Sequence, residues 1–206
     1  MTNLWTAIRK RRVLAIAIGV LVAGFATLAA VFGPGLLTPG TPAKAANATN
    51  STPADFTQFR SEQAGFELAY PTSWSKLNPP DPQILLLVAQ GTQESFLVRF
   101  SELQQPIGPL ELPAAKQVTD QIVTANKTVQ MVAEPKQIEL GGFPGFFYFY
   151  SFKDPTSGQE GVHSHYFLFN GKTMISLVFQ ALPKDHFVGS APTFDKITST
   201  FRALQK

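Results

Sequence analysis

An α+β domain with a largely antiparallel sheet of about six or seven strands, flanked by helices and preceded by one transmembrane helix, follows from three features of the 206-residue chain. Apolar residues alternate with period two in several short runs joined by turn residues, which is the pattern of half-buried strands in hairpins. Two segments switch to helical spacing, and a charge-free apolar stretch sits close behind a basic cluster near the N-terminus.

That stretch, residues 13–33, follows a cytoplasmic-type basic segment of residues 1–12 that contains Arg9, Lys10, Arg11 and Arg12. As a helix rising about 1.5 Å per residue it spans roughly the 30 Å hydrocarbon layer. The basic residues before it, against Lys44 alone in the stretch up to Arg60, place the N-terminus in the cytoplasm and the domain outside. A secreted form, cut near Ala45 by signal peptidase, is the alternative, but residue 45 lies far past the end of the apolar run. Gly19 and Ala23 have the spacing that lets two helices approach closely, a spacing that also arises by chance in an Ala-rich span.

Residues 34–55 turn to Pro, Gly, Ala, Thr, Asn and Ser, the composition of a flexible linker, and residues 56–206 make up the extracytoplasmic domain. Charge follows the same division. Residues 1–45 carry five basic side chains and no acidic one, which leaves 12 basic against 14 acidic beyond them. The apparent basicity therefore reports topology, and nucleic acid drops out as a partner class. With no cysteine, disulfides, thiolate metal sites, a cysteine nucleophile and lipid anchoring through a lipobox cysteine are all excluded.

Within the domain, Phe66, Leu68 and Tyr70 alternate before Pro71 stops the run, and Trp74 follows in a turn. Ile84 to Ala89 and the alternating Phe96, Val98 and Phe100 form a hairpin across Gln90 to Glu94. Between Pro113 and Asn126 the residues Ala115, Val118 and Ile122 share one helical face, and Pro113 suits a first turn. Strands resume at Gln137 to Leu140 and at Phe146 to Phe152. Seven of the ten residues 143–152 are aromatic, on both faces, as in a strand covered on both sides. Asp154 to Gly158 is a turn, Val162 to Phe169 a strand, Asn170-Gly171 a two-residue hairpin turn, and Lys172 to Phe179 its return. A closing helix places Phe194, Ile197, Phe201 and Leu204 in one stripe.

Chemistry-bearing patterns are few. His163 and His165, two apart on a strand, share a face and could share a metal, with Asp154, Glu160 or His186 as a third ligand; polar residues at a sheet end are the plainer reading. No metal and no cofactor are expected. Ser73, Ser151, Ser164 and Ser176 lack a nucleophile elbow, so a hydrolase is the least favoured function and no catalytic residue is assigned. Trp74 lines a pocket or, more simply, caps the core. Trp74, His163 and His165 together mark a possible ligand face.

The run Gly65-Phe66 to Tyr70-Pro71-Thr72-Ser73-Trp74, the bend Leu140-Gly141-Gly142-Phe143-Pro144-Gly145, the aromatic strand, the hairpin and the Phe194 to Phe201 helix resemble the PsbP-like proteins. That superfamily includes the Ran-binding Mog proteins and the actinobacterial LpqN-type lipoproteins. The resemblance spans roughly residues 56–204 and implies an α/β/α sandwich with a non-catalytic role in binding or assisting other proteins, often at membranes. The chain departs from the lipoprotein members in having no cysteine, so its anchor is the apolar helix. The function expected is a membrane-tethered, extracytoplasmic binding or assembly domain of an actinobacterial-type envelope, engaging a protein or an envelope component. The alternative is a small-ligand or metal-binding sensor.

Overall fold

The computed structural model describes residues 52–91 and 93–204, together with the backbone of Phe32–Gly33. The span expected over residues 13–33 otherwise lies outside the described residues, as does the linker up to residue 51. No helix among the described residues is long and apolar enough to cross a membrane. Phe32–Gly33, here β1, is extended and pairs in parallel with β10 (Pro183–Lys184).

The main sheet has six hydrogen-bonded strands in the order β4-β5-β6-β9-β8-β7, all antiparallel. These are β4 (Ser75–Lys76), β5 (Ile84–Gln90), β6 (Glu94–Ile107), β7 (Gln130–Leu140), β8 (Phe143–Lys153) and β9 (Glu160–Ala181). β9 is too long to be one straight run. Thirteen residues of strand extend about 43 Å, yet the rings of Tyr166 and Phe179 lie 6.0 Å apart and His163 bonds Gln180. The chain therefore reverses at the expected Asn170-Gly171 turn, where Gly171 has φ +57°. The first arm of β9 pairs with β8 and the second with β6, so seven runs of chain lie side by side.

Alternation sorts β8 and β9 onto two cores. Phe146, Tyr148 and Tyr150 with Phe167, Phe169 and Met174 face helix α1 (Leu112–Thr124), which buries Leu112, Ala115, Ile122 and Val123 against them. Phe143 and Phe149 with Leu168, Ile175, Leu177 and Phe179 face the other way, towards helix α2 (Phe187–Ser199). The aromatic strand β8 is covered on both faces, as its composition demands.

The sequence placed all strands in one sheet, and the structure corrects this. Phe66–Pro71 (β3) pairs with β2 (Phe56–Ser61) and β11 (Arg202–Ala203) in a separate three-stranded sheet that lies with α2 on the Phe179 face. β2 was not legible as a strand because it buries only its ends, Phe56 and Ser61, and shows no clean alternation. The closing helix stops at Ser199 rather than running to Leu204. Phe201 continues the apolar stripe but does so from the start of an extended segment, stacking on Phe66 at 5.1 Å and meeting Phe143 at 5.9 Å. Arg202 then donates to Glu67 across the β11–β3 pair, a contact that holds the Glu67 carboxyl below its usual range. A spacing of +4 is compatible with either geometry, and the strand partner decides.

A cleft at the root of the linker

The Tyr-Pro-Thr-Ser-Trp segment turns back at its end, where Trp74 N–H donates to Pro71 O at 3.0 Å. The turn drops the indole into the core on the α2 side, only 4% exposed and edge-on to Phe194 at 6.3 Å and 85°. Its polar handle is satisfied, as buried indoles require, by donating Nε1–H to Gln90 Oε1 at 3.1 Å. Trp74 therefore caps the core and also forms a wall of a surface cleft of about 310 Å³.

The rest of the cleft is assembled from three parts of the chain. Pro71 and Ser73 come from the turn, Gln90 from the end of β5, and Pro192, Thr193 and Lys196 from α2. The fourth side is Asp55 and Phe56, the point at which the expected linker becomes the domain. Asp55 is pinned there: its carbonyl accepts from Thr72 N–H at 2.9 Å, and its carboxylate receives Lys196 Nζ at 3.0 and 3.1 Å. The same ammonium sits 4.4 Å from the Phe56 ring centroid, a cation–π contact. The hydrogen bond from Lys196 holds the Asp55 carboxyl below its usual range. The accessible lining is thus mixed: Trp74, Phe56 and Pro71 are nearly buried behind hydroxyl and amide groups, and one cation is matched to one carboxylate. Such a site can bind, but no histidine lines it to serve Ser73 as a base.

His163 and His165 lie on the opposite, α1-facing side of the main sheet, so the structure does not bring them together with Trp74. Both meet the hydroxyl of Tyr150, which is the register partner of His163 on β8. Tyr150 Oη is 3.1 Å from each Nδ1, and His163 Nε2 is 2.8 Å from Gln180 Oε1. Proton bookkeeping fixes the tautomers. His163 donates from Nε2 to Gln180, so its Nδ1 accepts from the Tyr150 hydroxyl, and Tyr150 in turn accepts from the Nδ1–H of His165. Burial holds both imidazoles neutral, lowering His163 to about 4 and His165 well below its usual value. The same burial raises the Tyr150 hydroxyl.

Of the residues considered as a third metal ligand, Asp154 Oδ2 accepts from Ser157 N–H and Oγ–H in the β8–β9 turn, Glu160 pairs with Lys184 at 2.9 Å, and His186 stands at the start of α2. Among the described residues no group of three or more His, Asp or Glu side chains could hold a metal. Of the four serines weighed as nucleophiles, Ser151, Ser164 and Ser176 are buried in the sheet and Ser73 is at the cleft.

Comparison with known proteins places the architecture. The solution structure of cyanobacterial PsbP (CyanoP) from Synechocystis sp. PCC 6803 is similar over 77% of this chain and 98% of its own, with a TM-score of 0.56 and 15% identity. The chain has the PsbP-like fold. LpqN of Mycobacterium tuberculosis, described as involved in cell envelope biogenesis, is similar over 73% of this chain and 91% of its own, at TM-score 0.54 and 14% identity. The Saccharomyces cerevisiae Ran-binding protein Mog1p is similar over 73% and 96%, at 0.51 and 10%. At such identities the likeness is one of fold alone. No protein-family model matches the sequence, and no curated protein does. In this PsbP-like domain the Tyr-Pro-x-x-Trp run that carried the resemblance is also what walls the cleft.

Of the cleft residues, the sequence singled out Trp74 and Ser73. Asp55 and Lys196 are 141 positions apart, and nothing local in the sequence marks either.

Proposed function

We propose that this chain is a non-catalytic binding or assembly domain of the cell envelope, tethered outside the membrane by the apolar span that precedes Phe32, that takes hold of a protein or envelope component at the cleft beside Trp74. The observation that carries the reading is the cleft: a mixed, largely polar surface backed by buried aromatic residues, with one paired cation and carboxylate, built at the linker root and holding groups suited to recognition. The solved structures with this fold give it context, since one is described as involved in cell envelope biogenesis and another as Ran-binding. The basic segment 1–12, the apolar span and the absence of a lipobox cysteine support a single-pass topology with the N-terminus in the cytoplasm. In the alternative topology, cleavage near Ala45 releases the same domain as a secreted binder.

Affinity purification of the tagged full chain from detergent-solubilised membranes tests this. The wild type is expected to retain a specific partner, and Thr193→Arg, which fills the cleft mouth from the surface of α2, is expected to lose most of it. A wild-type chain that retains nothing above background, or a partner retained equally by the variant, would overturn the proposal.

A further inference from the structure

We draw no further inference here: the strongest candidate, the surface patch where β10 pairs with Phe32–Gly33 and Val188 stands exposed at the start of α2, rests on a two-residue pairing whose flanking segments lie outside the described residues, and nothing in the structure shows what covers Val188.

Discussion

Replacing Gly145 with alanine is expected to cost more than about 4 kcal/mol and to abolish a cooperative unfolding transition at ambient temperature. Gly145 sits inside β8 opposite Leu168, with an ordinary backbone conformation, so the obstacle is contact. A Cβ there would lie 2.0 Å from the carbonyl oxygen of Phe167 and 3.0 Å from Leu168 Cα. Both are backbone atoms of the neighbouring strand and cannot swing aside. Relief means pushing β8 and β9 apart at the centre of two cores, since Phe146 and Leu168 next to the contact pack on opposite faces. Gly189→Ala is the control of opposite sign. Gly189 lies in the first turn of α2 with no atom within 4 Å of the added carbon, and exchanging glycine for alanine in a helix gains about 0.5–1 kcal/mol. Urea unfolding of the two variants beside the wild type measures both.

Acid is expected to unfold the protein well above the pH at which its carboxylates titrate. His163 and His165 are held neutral, their folded-state pKa values depressed by burial below the 6.5 of an unfolded chain. Between the two values the unfolded state binds more protons, so stability is whole above about pH 6.5 and drains away as pH falls through it. For His163, lowered to about 4, the loss reaches at most about 3 kcal/mol, less whatever its partly exposed edge recovers. His165 adds a loss of the same sign. The structural reason is that protonating His163 at Nδ1 turns the acceptor of the Tyr150 hydroxyl proton into a second donor, so the hydroxyl loses the partner to which it donates. Unfolding midpoints measured from pH 7.5 to 4.5 should fall steadily below 6.5 in the wild type and less steeply in His163→Gln. A flat profile down to pH 5 would contradict the assignment of both imidazoles as neutral.

The sequence made the hairpins and the two helices legible because each shows its periodicity within a dozen residues. β5 with β6, the two arms of β9 about Asn170-Gly171, and the helix that begins near Pro113 all fall where the alternation and turn chemistry placed them. What escaped depends on partners distant in the chain. β3 has the alternation of a core strand, but only its register with β2 and β11 assigns it to a second sheet. Phe201 fits a helical stripe and a strand equally well until Phe66 and Phe143 are set beside it.

The candidate sites divide the same way. A spacing of two was enough to put His163 and His165 on one face, and the observed register of β8 with β9, with Lys153 opposite Glu160, brings Tyr150 opposite His163. A turn at Asp154 to Gly158 would have set the register one residue away, and the observed one places both imidazoles in a hydrogen-bonded core cluster with Tyr150. The cleft was out of reach, because it joins the linker root to a helix 141 residues later. Trp74 was weighed as either core cap or pocket wall, and one ring serves as both, with its edge on Phe194 and its margin in the cleft.

The central claim is that an anchored domain binds through the cleft at its linker root, and site-specific photo-crosslinking in intact cells tests it most directly. A photoreactive residue at Thr193 reports from the cleft, and one at Lys172, at the hairpin tip next to Gly171, reports from a different surface of the domain. The account predicts a discrete adduct in the membrane fraction from Thr193 and none from Lys172. An adduct from Lys172 with none from Thr193 would contradict it.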